Sequence, residues 1–145
     1  MAIIKTDGEY FSVKDTLECG QIFRYYKVKD DKFIVISGDK CALCYNDKDS
    51  AIIECNDGDE GYFANYFDLD RDYSKIANYA NSKGVKILSD AVGKGKGIRI
   101  LNQDKNETLI SFIVSQNNNI PRIKKILNTL CEKLGQRMTF NGNDY

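Results

Sequence analysis

The stretch IFRYYKVKDDKFIVISGDKCALCYNDKDSAIIEC, which runs from Ile22 to Cys55, decides the fold. It holds four strand-like segments, the first of them aromatic and β-branched, and turn-forming pairs such as Gly38-Asp39 separate them. Their spacing of about ten residues is too short for the crossovers that parallel strands need. We therefore predict an antiparallel meander of hairpins. Its strands are predicted at 22–29, 32–37, 41–45 and 51–55, with turns at 30–31, 38–39 and 46–47.

Beyond Asp57 the apolar residues recur at helical intervals instead. Three helices are predicted within DEGYFANYFDL, DYSKIANYANSK and VKILSDAVGKG, and the third should end at Gly93 or Gly95. A glycine-rich link, GKGKGIRI, follows these helices. Its spacing does not match that of a phosphate-binding P-loop.

Two further helices are predicted in the last third of the chain. NETLISFIVSQ should begin at an Asn106 cap, and it is apolar on most sides, which is typical of a core helix. The second helix should run from Asn119 or Ile120 to Leu134, with Pro121 in its first turn and Gly135 at its end. Its apolar residues form one predicted buried stripe, at positions 120, 123, 126/127, 130 and 134.

Strands followed by helices predict an α+β protein. We expect an antiparallel-sheet domain over residues 1–104 and the start of a helical domain over residues 105–145. The last ten residues, QRMTFNGNDY, show no periodicity. Two helices cannot enclose a helical domain by themselves, so further helices are expected beyond Tyr145.

The composition, 42% hydrophobic and 29% charged residues, is that of an ordinary globular protein. No apolar run reaches the roughly 20 residues of a membrane span, and the N-terminus lacks the pattern of a signal peptide. A cytoplasmic location is therefore expected. Cys41 and Cys44 have the spacing of zinc ligands, but the chain has no histidine and no second such pair. Buried strand cysteines are the favoured interpretation, and we expect no metal and no cofactor.

The net charge of zero hides an asymmetry between the two parts of the chain. Residues 1–82 carry 10 Lys+Arg against 16 Asp+Glu, whereas residues 83–145 carry 11 against 5. This excess of basic residues in the second part favours a local contact with a polyanion such as nucleic acid.

Asn117, Asn118 and Asn119 stand between the last two predicted helices, and Arg122 follows on the first helical turn. Helix N-termini favour phosphate, and asparagine and arginine can make bidentate contacts with base edges. The spacing alone, however, favours a helix cap with two loop residues.

Four segments resemble the 8-oxoguanine DNA glycosylase family. They are ECGQIFRY (18–25), YFDLD (66–70), GIRILNQD (97–104) and SFIVSQNNNIPRI (111–123), and they occur in the family's order. The resemblance covers roughly Ser12 to Gly135. It implies an antiparallel sheet domain similar to half of the TATA-binding protein, followed by a helix-hairpin-helix domain. It also implies excision of 8-oxoguanine opposite cytosine in double-stranded DNA, followed by weak β-elimination, by a protein associated with the nucleoid.

The resemblance also implies roles for individual residues. Asn117 would fill the gap left by the flipped base, Arg122 would bind the orphaned cytosine, and Asn118 would lie near the DNA. The Gly20 carbonyl would accept a hydrogen bond from N7–H of the lesion, with glycine there permitting close approach of the backbone. The family's catalytic lysine and aspartate would lie downstream of Tyr145, so no lysine in this chain is expected to be the nucleophile. A non-catalytic module that binds damaged DNA or another protein remains the alternative.

Overall fold

A computed structural model describes all 145 residues and contains a five-stranded antiparallel sheet. The predicted meander is confirmed, since β2, β3, β4 and β5 pair in sequence. An additional strand, β1, pairs with the outer edge of β5 and gives the order β1-β5-β4-β3-β2. The strands are β1 (Ala2–Asp7), β2 (Tyr25–Lys27), β3 (Phe33–Ser37), β4 (Lys40–Asp47) and β5 (Ser50–Cys55).

Three details of the sheet differ from the prediction. Strand β1 was not predicted, because its six residues alternate only between exposed and half-buried positions and carry a weak apolar signal. Strand β2 begins at Tyr25 and not at Ile22, since the residues before it form a loop. Strand β4 continues through Asn46 and Asp47, so the turn falls at Lys48-Asp49, where Lys48 has a φ of +52°.

Six helices complete the α+β fold: α1 (Val13–Glu18), α2 (Glu60–Tyr66), α3 (Tyr73–Ser82), α4 (Lys86–Gly95), α5 (Lys105–Ser115) and α6 (Ile120–Leu134). The short helix α1 was not predicted; Ser12 caps it by accepting the backbone N–H of Asp15. The predicted Asn106 cap of α5 is wrong. Asp104 is the cap, and its carboxylate accepts the N–H groups of Asn106 and Glu107 at 2.9 Å each.

The main core lies between one face of the sheet and helices α1 and α2. Its largest buried side chains are aromatic: Phe67 packs against Phe11, and Phe63 and Tyr66 pack against Phe67. A smaller cluster on the other face joins Ile34, Ile36 and Cys41 to Phe140.

Phe140 belongs to a C-terminal hairpin within the ten residues for which no regular structure was predicted. Strands β6 (Thr139–Phe140) and β7 (Asn143–Asp144) flank Asn141-Gly142, and both turn residues have positive φ values. An Asn-Gly pair is a strong hairpin signal because both residues tolerate this conformation. The hairpin covers the second face of the sheet with a phenylalanine that is 2% exposed.

Cys41 and Cys44 are both buried in β4, as the favoured interpretation predicted. They lie in different clusters on opposite faces of the sheet, because side chains three positions apart on a strand point in opposite directions. Two thiols so placed cannot bind one metal ion. Burial raises the pKa of Cys41 to about 11 and the pKa of Cys44 well above its usual range.

Helix α5 is not the core helix that its composition predicted. Phe112 is 64% exposed and Ile113 61%, and α5 buries no residue. Helices α3 and α4 bury none either. The predicted stripe of α6 is buried only at Ile123 and Leu127, whereas Ile120, Leu130 and Leu134 are exposed. None of the helices is both long and apolar enough to cross a membrane.

Candidate nucleic-acid interface

The turn between α5 and α6 presents Asn117 to solvent. Asn117 has a φ of +54°, in the left-handed region that asparagine adopts more readily than most residues. Its side chain is exposed and makes no hydrogen bond within the chain. An amide with a free donor and a free acceptor is therefore held at the tip of a tight turn.

The other two asparagines of the turn have structural contacts. Asn118 is half-buried, and its Nδ2 donates to the Val114 carbonyl at 2.7 Å. Asn119 caps α6, because its Oδ1 accepts the backbone N–H of Arg122 at 3.0 Å. The three asparagines, identical in sequence, thus differ in what they leave free. The predicted DNA contact of Asn118 stays a prediction, and only its Oδ1 is uncommitted.

Arg122 lies on the first turn of α6, five residues from Asn117. Its side chain is exposed, and its guanidinium makes neither a salt bridge nor a hydrogen bond with the chain. Two residues further, the Lys124 ammonium lies 3.8 Å from the centre of the Tyr25 ring, which ties α6 to β2. A free guanidinium and a free amide thus share the N-terminal end of a helix that is fixed to the sheet.

Gly20 follows the end of α1 and has a φ of +93°. A Cβ built there would meet nothing within 4 Å, so there is space for a side chain. Glycine is favoured at this position by its positive φ and not by crowding. Its carbonyl accepts no hydrogen bond from the rest of the chain. An exposed backbone acceptor is therefore available at the predicted position.

Gln21 is a residue whose importance the sequence analysis missed. Its Nε2 donates to the carbonyls of Thr16 at 3.0 Å and Arg99 at 2.7 Å, and its Oε1 accepts from Leu101 N–H at 3.0 Å. The sequence signal that could have indicated this role is the presence of Gln21 and Arg24 in the otherwise apolar and aromatic segment QIFRYY (21–26), because buried polar groups need hydrogen-bond partners.

Arg24, the other polar residue of that segment, forms a partly buried ion pair with Glu107 in the first turn of α5. The same carboxylate accepts the Gly38 N–H at 3.1 Å. This contact joins the β3–β4 turn and the strand region to the helix that leads to Asn117.

Arg99 fixes the segment between α4 and α5. It is 5% exposed, and its Nη1 donates to the Asp68 carbonyl at 2.7 Å. The guanidinium also lies 4.5 Å from the Tyr73 ring centre and 5.5 Å from that of Phe11. Burial lowers its pKa, and its Nε has no hydrogen-bond partner. These contacts explain the buried Arg99, for which the sequence analysis predicted no structural role.

Comparisons with known proteins agree with this architecture. Residues 3–109 match the family described as 8-oxoguanine DNA glycosylase, N-terminal domain. A 44-residue stretch is 57% identical to an N-glycosylase/DNA lyase of Saccharomyces cerevisiae; it makes up 30% of this chain and 12% of the yeast protein.

Solved structures match over almost the whole chain. MBOgg1 in complex with a low-affinity DNA ligand is 36% identical, with a TM-score of 0.88 over 99% of this chain and 50% of that one. The 8-oxoguanine glycosylase/lyase of Clostridium acetobutylicum in its apo form is 34% identical, with a TM-score of 0.85 over 99% of this chain and 53% of the other. The same enzyme with double-stranded DNA containing cytosine opposite 8-oxoG gives 0.84, over 100% and 52%. The chain thus spans about half the length of the solved structures that it matches.

Proposed function

The chain belongs to the 8-oxoguanine DNA glycosylase family, and from this premise we propose that it supplies part of the recognition surface of a base-excision DNA glycosylase and β-elimination lyase. The substrate is double-stranded DNA with 8-oxoguanine opposite cytosine. The observation that carries the proposal is that Asn117 and Arg122, two exposed side chains without hydrogen bonds to this chain, lie together at the N-terminal end of α6. Its site of action is the nucleoid in the cytoplasm.

In this proposal Arg122 reads the base left unpaired when the lesion is flipped out of the duplex. Cytosine offers the acceptors O2 and N3, and a guanidinium can only donate hydrogen bonds. Adenine opposite the lesion would present a different pattern of hydrogen-bond donors and acceptors to Arg122. Asn117 fills the gap in the stack, and its free amide offers a donor and an acceptor to the orphaned base. Asn118 lies near the DNA through its turn.

Gly20 is proposed to read the lesion itself. 8-Oxoguanine carries a hydrogen on N7, whereas guanine carries a lone pair there. A carbonyl oxygen attracts the first and repels the second, so one acceptor distinguishes the two bases. The free Gly20 carbonyl, exposed on its turn, supports this role.

We propose further that these 145 residues do not perform the chemistry. A Schiff-base lysine must be deprotonated, which requires a lowered pKa. Lys27, Lys40 and Lys96 have a raised pKa because each donates a hydrogen bond to a carboxylate, so these three lysines are disfavoured as the nucleophile. The proposed division is a sheet domain over residues 1–104 and the start of a helical domain over 105–145. The chemistry of the family requires no cofactor or metal.

Fluorescence anisotropy with labelled duplexes tests the recognition. Wild-type chain should bind 8-oxoguanine·cytosine more tightly than 8-oxoguanine·adenine, and Arg122→Ala should reduce that ratio roughly tenfold, as expected for the loss of a good base contact. Asn117→Ala should weaken binding to both duplexes.

Arg137→Ala is the matched control, because Arg137 is also exposed but lies beyond the far end of α6, which is about 22 Å long. It removes the same charge and should leave the cytosine-to-adenine ratio unchanged. An equal ratio for wild type and Arg122→Ala would reject the role given to Arg122.

A further inference from the structure

The Gly20 turn has a free carbonyl whose direction must be fixed from outside. Gly20 itself is exposed, has a φ of +93° and has no neighbour within 4 Å of a built Cβ. Nothing in this residue restricts rotation about its own backbone bonds. An acceptor that separates N7–H from an N7 lone pair must nevertheless point in one direction, because hydrogen bonds weaken steeply with misalignment.

The residue that restricts this turn is Gln21, which uses every polar group of its side chain. The two hydrogens of Nε2 serve the Thr16 carbonyl before Gly20 and the Arg99 carbonyl 78 residues away. Its Oε1 accepts from Leu101 N–H, and its own backbone carbonyl accepts from Gln103 Nε2 at 2.6 Å. The turn is thereby held between the end of α1 and the 99–103 segment.

The 99–103 segment is itself rigidly attached to α1. Thr16, which is fully buried, donates its hydroxyl to the Gly97 carbonyl and accepts Arg99 N–H, both at 3.1 Å. Ser12 N–H donates to the same Gly97 carbonyl at 2.8 Å. The segment then continues to Asp104, the cap of α5, and α5 ends at the Asn117 turn.

We propose that Gln21 is a positioning residue that aims the Gly20 carbonyl and so sets the discrimination between 8-oxoguanine and guanine. The inference rests on the proposed role of Gly20 and adds a cause for its selectivity. Gln21 need not touch the base; it acts through the turn. The same hydrogen bonds connect the Gly20 turn to the 99–103 segment, which leads through α5 to the Asn117 turn.

The test uses NMR of the isotope-labelled chain, titrated with the nucleosides 8-oxo-2′-deoxyguanosine and 2′-deoxyguanosine. The carbonyl carbon shift of Gly20 reports hydrogen-bond acceptance at that atom. In wild type it should respond to the oxidised nucleoside at least fivefold more strongly than to the normal one, on the scale of one hydrogen bond.

Gln21→Glu keeps the shape of the side chain but replaces the donor by an anionic oxygen facing two carbonyls. It should reduce the selectivity of the Gly20 response to about one. Gln136→Glu, at an exposed residue without side-chain hydrogen bonds, makes the same charge change and should keep it. Gln103→Leu removes one bond of the anchor and provides a milder variant if Gln21→Glu does not fold; it should lower the selectivity about twofold.

Three outcomes separate the two proposals. Loss of selectivity in folded Gln21→Glu, or its reduction in Gln103→Leu, with Gln136→Glu unchanged, supports the inference. Selectivity that persists in both variants overturns the role of Gln21 and leaves that of Gly20 intact. A wild-type chain whose Gly20 carbon does not distinguish the nucleosides rejects the role of Gly20, and the role of Gln21 with it.

Discussion

Substitutions at Gly97 and Gly20 can be compared to test how the 97–103 segment is attached to α1. Their φ values, +94° and +93°, are nearly the same. A Cβ at Gly20 would meet nothing, whereas a Cβ at Gly97 would lie 2.9 Å from Ser12 N and 3.0 Å from Ser12 Cβ. Alanine at either position therefore introduces the same kind of backbone strain, but only at Gly97 does it collide with the start of α1.

The expected losses follow from three contributions, of which backbone strain is common to both positions. A residue with a side chain at positive φ costs about 1–2 kcal/mol, which is the whole effect expected for Gly20→Ala. At Gly97 the clash adds about 1–3 kcal/mol, as overpacking does. Moving the backbone at Gly97 away from Ser12 also disturbs the 2.8 Å hydrogen bond from Ser12 N–H to the Gly97 carbonyl, which contributes about 1 kcal/mol. Gly97→Ala should thus lose roughly 3–6 kcal/mol.

Urea unfolding followed by circular dichroism measures both losses in the same chain. The midpoint should fall further for Gly97→Ala than for Gly20→Ala, with a similar slope for both variants. Equal losses, within about 0.5 kcal/mol, would show that the close approach of Ser12 to Gly97 contributes nothing. That result would leave the segment held by hydrogen bonds such as those to Thr16 and Gln21.

Three other perturbations have definite expected outcomes. Phe140→Ala should lose about 3–4 kcal/mol in urea unfolding because its ring is 2% exposed, and Leu134→Ala, at 81% exposed, should lose less than about 0.5; equal losses would mean that the C-terminal hairpin is not packed. A double-mutant cycle of Arg24→Met and Glu107→Gln should give a coupling of about 1–2 kcal/mol, and no coupling would deny the tie between the sheet and α5. Burial raises the pKa of Cys41 from 9.0 to about 11. Between these two pH values the folded state keeps a thiol proton that the unfolded state releases. The free energy of unfolding is therefore highest below pH 9.0 and falls as the pH rises through about 11. Cys41→Ala should flatten the fall in unfolding free energy between pH 9 and 11, and an unchanged slope would contradict this.

The regular elements could be predicted wherever local patterns decide them. Runs of β-branched residues predicted β3 and β5, the apolar CALCY segment predicted β4, and the Asn119 cap with Pro121 and Gly135 predicted both ends of α6. Strand β1 could not be predicted in the same way, because an edge strand buries little and is stabilised by its pairing with β5, whose residues lie 43 to 53 positions along the chain from their partners. Burial of α5 was misjudged because composition states which faces are apolar, not whether a partner covers them.

The candidate site was predictable at the level of residue identity and not at the level of geometry. The motif containing three asparagines does not state that Asn118 bonds to Val114 while Asn117 stays free. In the folded chain Asn117 adopts a left-handed conformation and is exposed, whereas Asn118 is half-buried. The anchoring by Gln21 depends on partners 78 and 80 residues distant, which only the folded chain brings together.

Borohydride trapping tests the central claim, a recognition surface without its nucleophile, most directly. The chain is incubated with an 8-oxoguanine·cytosine duplex and sodium borohydride, at a concentration where anisotropy shows binding. The Clostridium acetobutylicum 8-oxoguanine glycosylase/lyase serves as the positive control. We expect a covalent protein–DNA adduct with the control and none with this chain. An adduct with this chain that disappears when one of its lysines is replaced would contradict the account, because a nucleophile would then lie within these 145 residues.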